Sequence, residues 1–141
     1  MANKLSVLIE LNVVLDVLQK REPFYDSSAT LLAAAETGKI QGYISAHSVT
    51  TLFYLLQKGI SSSEARAVLT NLLQFMKIAG IDQSTIEQAL NLDFEDFEDA
   101  VQMMAAVQCR ADYLVTRNVK DYTSPLLPVV QPIDFVTSAL G

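Results

Sequence analysis

Hydrophobic residues fall in two rhythms along this 141-residue chain. Leu5–Ile9 (LSVLI) is a short apolar run, the mark of a central strand buried on both faces. Glu10, Leu11 and Asn12 follow at its carboxyl end. Val13–Gln19 reads as a helix that Pro23 closes. Asp26 or Ser27 is expected to cap the next helix, over about 27–37, which Gly38 ends. Gly42–Ser45 is a second strand, after which Ser45 or Ser48 caps a helix to about Lys58. Its apolar stripe is Val49, Leu52, Phe53 and Leu56, and Gly59 stops it. Ser61 with Glu64 forms a capping box. The helix behind it carries Ala65, Leu69, Leu72, Leu73 and Met76.

The second half continues the alternation. Lys77–Ala79 is a weak strand before Gly80. Ser84 with Glu87 reads as another capping box, opening a short helix through Leu90. A longer helix spans about Asp96 to Gln108, and Tyr113–Thr116 (YLVT) is a strand of strong β formers. A loop with Asn118 and Asp121 follows. Pro125 and Pro128 bound an extended piece, Val129–Val130 is a last strand, and Ile133–Ala139 a final helical turn or two. Strands alternating with helices or helix pairs build a parallel sheet with helices on both faces. The expectation is an α/β protein with residues 1–141 forming one three-layer α/β/α domain. In such sheets the site lies at the carboxyl ends of the strands. Glu10, Ser45 and the residues after Thr116 therefore share one rim, to which the helix beginning near Asp96 can add its N-terminus.

Composition narrows the chemistry. Half the residues are hydrophobic, so disorder is unexpected. Ten Lys and Arg against sixteen Asp and Glu give a net charge of −6, which argues against coating nucleic acid by bulk attraction. An acidic pocket that reaches phosphate through a bound cation remains open. One Cys and one His cannot build a closed zinc site. The single Cys109 allows no internal disulfide and fits a reducing compartment. No segment has the length of a membrane span, and the N-terminus lacks a signal-peptide pattern. The expectation is a cytoplasmic protein with no membrane partner.

The densest chemistry is DFEDFEDA, residues 93–100, where five of eight side chains are carboxylates. Asp96, Asp99, Ala100 and Met103 share one helical face, which Met104 and Val107 continue as a buried stripe. Helix-dipole stabilisation or capping by Asp93 or Asp96 accounts for one or two of these acids, but not comfortably for five. Asp99, with Asp96, reads as part of a cluster for a hard divalent cation, Mg²⁺ or Mn²⁺. Asp16 reads as a surface carboxylate or polar tether. Arg117 and Lys120 flank Asp121 and read as solvated surface or as contacts for a phosphate.

Four segments, LIELNVVLDVL (8–18), ISAHSVTTLFYLL (44–56), DFEDAVQ (96–102) and DYLVTRNVKDY (112–122), together resemble the PIN-domain family over nearly the whole chain. The resemblance implies an α/β/α domain and, for many members, a metal-dependent ribonuclease. These include VapC-type toxins of toxin–antitoxin pairs. It further implies acids holding Mg²⁺ or Mn²⁺ and in-line attack of an activated water on an RNA phosphodiester. The family's first acid, normally aspartate, is Glu10 here, with its head group roughly 1.5 Å further out. The second, normally glutamate, is the neutral Thr51, with His47 one turn before it. The third matches at Asp99, with Asp96 and Glu98 as neighbours. The fourth falls on Asp121, with Asn118 as a neutral helper and Thr116 as an orienting hydroxyl.

Two readings follow. In the first, Glu10, Asp99, Asp121 and Asp96 bind metal, Thr51 and Asn118 position water or substrate, and a small antitoxin holds the enzyme in check. In the second, the departures at positions 10, 11 and 51 leave a weakened module acting through RNA or protein binding. Homodimerisation is expected through helices carrying Leu52, Phe53, Leu69 and Leu73.

Overall fold

A computed structural model describes residues 4–141. Five strands form one parallel sheet in the order β3-β2-β1-β4-β5. They are β1 (Leu5–Ile9), β2 (Ile40–Ser45), β3 (Met76–Ala79), β4 (Tyr113–Val115) and β5 (Val129–Val130). Helices α1 (Leu11–Leu18) and α2 (Tyr25–Glu36) connect β1 to β2. Helices α3 (Ala46–Leu56) and α4 (Ser62–Leu72) lead to β3, and α5 (Gln83–Ala89) and α6 (Phe97–Gln108) to β4. Helix α7 (Pro132–Phe135) and a π-turn over Val136–Leu140 finish the chain. This is the expected three-layer α/β/α architecture.

The central strand explains the layering. Alternate residues of a strand face opposite sides, and both sides of β1 are covered. Val7 and Ile9 pack with α1, α2, α3 and Phe135 in one core. Leu8 packs with Leu114, Met103, Ala105 and Ala106 in the other. Leu52 is fully buried in the first core and is not free for a partner, contrary to expectation. Leu73 is partly exposed. The chain grows from β1 outward to β3, then returns to lay β4 and β5 on β1's other side. The order therefore reverses between β1 and β4, where Ile9 lies opposite Val115.

Several helix starts differ from expectation. Glu10 itself caps α1, so that helix begins two residues early. Helix α2 starts at Tyr25 without a side-chain cap, and Asp26 sits inside its first turn. Ser45 holds the cap position of α3, but its hydroxyl makes no capping bond. Helix α5 is capped by Asp82 with Thr85, because those two exchange bonds of 3.0 and 3.1 Å. Ser84 instead accepts from Gln88. The Ser61–Glu64 box is present as expected. Gly38 ends the α2 segment with φ +81°, a conformation that favours glycine.

Both sheet edges are short. Strand β5 has two residues between Pro128 and Pro132, and β3 has four. No described helix is long and apolar enough to cross a membrane.

Leu8 is fully buried whereas Ile78 on the β3 edge is 45% exposed. Leu8→Ala should therefore cost about 2–5 kcal/mol in urea denaturation, against less than about 0.5 kcal/mol for Ile78→Ala.

Candidate metal centre at the sheet switch point

The backbone builds the rim first. The N–H of Glu10 donates to the carbonyl of Val115 at 3.0 Å, so β1 and β4 end together. Glu10 then turns into α1. Its Oε2 accepts from the backbone N–H of Asn12 at 2.9 Å, and its Oε1 from Asn12 Nδ2 at 3.1 Å. Burial pushes the Glu10 carboxyl above its usual range, and Asp99 adds to this, while the Asn12 bonds and the Arg117 charge act the other way.

Asp96 caps α6 and accepts the Asp99 N–H at 3.2 Å. That sets Asp99 in the first turn, half-buried and facing the rim. Burial, then the charges of Asp96 and Asp121, raise its carboxyl to about 6. The Tyr122 hydroxyl donates to Asp99 Oδ1 at 3.5 Å. This buried phenol stacks edge-on against Phe94, and burial with the nearby Asp99 and Glu10 charges drives its own ionisation upward. Tyr122 was not singled out from sequence; the only signal is an aromatic directly after Asp121.

Asp121 ends a 3₁₀ turn over Val119–Asp121. Its N–H donates to the Asn118 carbonyl, and the Asn118 N–H donates to Thr116 Oγ1 at 3.2 Å. Glu95, Asp96, Asp99, Lys120, Asp121 and Thr123 line a hollow of ≈ 260 Å³. Asn118 is exposed beside this turn. The structure thus gathers Asp96, Asp99 and Asp121 at one hollow and brings Glu10 within electrostatic reach of Asp99.

Thr51 is exposed on α3. One turn before it, the half-buried His47 pairs through Nδ1 with the buried Ser45 hydroxyl and feels the charge of Glu98. Burial lowers the His47 pKa.

Two surface expectations are corrected. Asp16 is fully buried, and Arg117 is only a quarter exposed. Arg117 Nε lies 2.9 Å from Asp16 Oδ2, and the guanidinium sits 4.1 Å from the Phe24 ring centre. Asp16 is the polar tether of the two alternatives, because an apolar surround leaves a carboxylate only the charge of Arg117 and Arg21 to answer it.

Among the described residues, no three His, Cys, Asp or Glu side chains stand close enough to ligate one ion together. The donor chemistry nevertheless fits a hydrated hard cation. The donors are oxygens, their mutual repulsion leaves negative charge uncompensated, and Mg²⁺ commonly takes one or two carboxylates and keeps its waters.

The acids thus collect where a parallel α/β sheet reverses its strand order, the crevice at which sheets of this kind commonly bind ligands. The PIN domain family model matches residues 6–120. The chain belongs to the PIN-domain family. Among solved structures it is similar to a chain of a toxin–antitoxin complex from Klebsiella pneumoniae, at 23% identity and TM-score 0.69 over 89% of this chain and 97% of that one. It is also similar to a chain of FitAcB from Neisseria gonorrhoeae, at 18% identity and TM-score 0.65 over 90% and 98%. Mycobacterium tuberculosis VapC20, described as a sarcin–ricin loop cleaving toxin, matches at 15% identity and TM-score 0.60 over 77% and 86%. Likeness at these identities shows the fold. A search of curated proteins finds no match.

The raised Asp99 pKa has a definite sign. Below 3.8 the group is protonated folded or unfolded, and the penalty on folding grows as pH rises to about 6. Without divalent cations, Asp99→Asn should therefore raise the thermal midpoint at pH 7 and leave it unchanged below 3.8. Thermal melts across this range check it.

Proposed function

We propose that this protein is a Mg²⁺- or Mn²⁺-dependent ribonuclease that hydrolyses RNA phosphodiesters, the toxin of a toxin–antitoxin pair. The observation that carries the reading is the gathering of Asp96, Asp99 and Asp121 at one hollow, with Glu10 coupled to Asp99, in a PIN-family fold. The similar structures, among them toxin–antitoxin complexes and a sarcin–ricin loop cleaving toxin, support the biological setting.

Asp99 and Asp121 would hold the hydrated cation, Glu10 would meet it through its retained waters, and Asp96 supports Asp99 from the cap position. When bound, the cation supplies Lewis-acid charge for the phosphodiester and its leaving oxygen. The chain's own residues do the positioning. Tyr122 holds one face of Asp99, Asn12 fixes the Glu10 carboxylate, and Lys120 offers a positive charge at the hollow's edge to an RNA phosphate. Asn118 and Thr51 are exposed and are assigned to substrate or ordered water. A small antitoxin covers the enzyme in the cytoplasm. Self-association uses the α3–α4 surface, where Val49, Phe53 and Leu69 line a separate hollow. Sedimentation as a monomer at high concentration would remove that last element.

Two observations favour the alternative of a weakened binding module. Both Glu10 oxygens are already engaged by Asn12, and the second family acid is the neutral, exposed Thr51.

Purified protein should cleave RNA with Mn²⁺ and stop when the ion is chelated. Asp99→Asn should lower the rate by about a hundredfold or more, and Lys120→Ala should raise KM with little change in kcat. RNA left intact in Mn²⁺ but retained on a filter would instead establish the binding module.

A further inference from the structure

The described chain contains two close ion pairs, and both converge on Asp16. This carboxylate is fully buried on α1 and its two oxygens make no hydrogen bond. Arg117 Nε, also buried and without a hydrogen bond, lies 2.9 Å from Oδ2, and Arg21 Nη1 lies 3.8 Å from Oδ1. Charge alone holds the group.

Arg117 cannot be far from the rim. It follows Thr116, whose N–H donates to Val130, and Val115 accepts the N–H of Glu10. The Arg117 charge is felt by two carboxylates, Asp16 inside and Glu10 at the rim. The guanidinium takes Asp16 and lies on the Phe24 ring. Among the described residues Glu10 has no cation within ion-pair distance.

We propose that Asp16 is a positioning residue that holds Arg117 back from Glu10, leaving the Glu10 carboxylate, bonded only to Asn12, with no resident cation to compete with a divalent ion. This rests on reading the rim as the metal-dependent ribonuclease site. A cation drawn onto Glu10 would oppose the ion in two ways, by occupying its oxygens and by repelling its charge. Asp16 prevents both from the interior, touching neither metal nor substrate. The energetic logic is that of a buried pair. Asp16 depends on the pair most, because its carboxylate finds no water while Arg117 keeps a quarter of its side chain exposed.

The test compares the wild-type protein with Asp16→Asn and with Asp16→Asn/Arg117→Gln. Mn²⁺ binding is followed by the electron paramagnetic resonance of the free ion, and circular dichroism checks folding. Asp16→Asn should weaken Mn²⁺ binding about tenfold, because the released guanidinium competes at Glu10. The double variant should return to the wild-type affinity, since the competing charge is gone. A merely structural role for Asp16 makes the double variant no better than the single one, and that result overturns the proposal. A crystal structure of Asp16→Asn should show Arg117 on Glu10, and Arg117 remaining on Phe24 or turned to solvent overturns it. Should wild-type protein bind no Mn²⁺, the ribonuclease reading fails, and the crystal structure alone still decides where Arg117 goes. Should Asp16→Asn not fold, the double variant carries the test. Affinity at or above wild type supports the proposal, and about a tenfold loss overturns it.

Discussion

The pairing of β1 with β4 is the constraint on which the rest depends. Two strands far apart in sequence lie side by side in the middle of the sheet, with Ile9 opposite Val115. Their carboxyl ends finish level, bound by the Glu10 to Val115 hydrogen bond. A one-residue slip would turn the inward face of either strand outward, and both faces of β1 are buried, so the register is fixed by burial. Once it is fixed, the residues that follow have little freedom. Glu10 must turn at once into α1, and Thr116, Arg117 and Asn118 must pass beside it.

That geometry gathers like charges, and the surrounding structure answers them unevenly. Asp96 is spent as a helix cap, and the Tyr122 hydroxyl serves Asp99. Asn12 serves both oxygens of Glu10. These bonds hold direction but supply no opposite charge. Meanwhile the strongest cationic neighbour, Arg117, is committed to Asp16. The acids of the rim are thus oriented by neutral donors and only weakly offset by positive charge, which is what the proposed ion would supply.

Most of the layered fold was legible in the residues. Apolar runs at Leu5–Ile9 and Tyr113–Val115, separated by helix-length stripes, specify strands and crossovers because burial on both faces leaves a continuous hydrophobic signature. Caps were less legible. At α5 two polar pairs compete within six residues, and Asp82 with Thr85 wins through geometry that spacing alone does not reveal. At α1 the cap is Glu10, an unusual capping residue with a rim position to fill as well. The acids from 93 to 100 announced themselves by density. Asp16 did not, because its partner lies in another segment, and an isolated acid among apolar neighbours gives no sign of a distant arginine. Tyr122 was hidden for the same reason, since its meaning comes from Asp99 across the rim.

The sheet's two flanks have a further consequence. A parallel sheet ends in rows of unpaired amide groups that another extended chain can continue. Here one flank is a two-residue strand between prolines, which lack an amide hydrogen, and the other is a four-residue strand displaying Lys77. Neither offers enough ladder for a stranger's backbone to dock. Recognition of this protein then falls mainly to side chains on its helices and loops, where the surface is individual, and less to backbone that every protein shares.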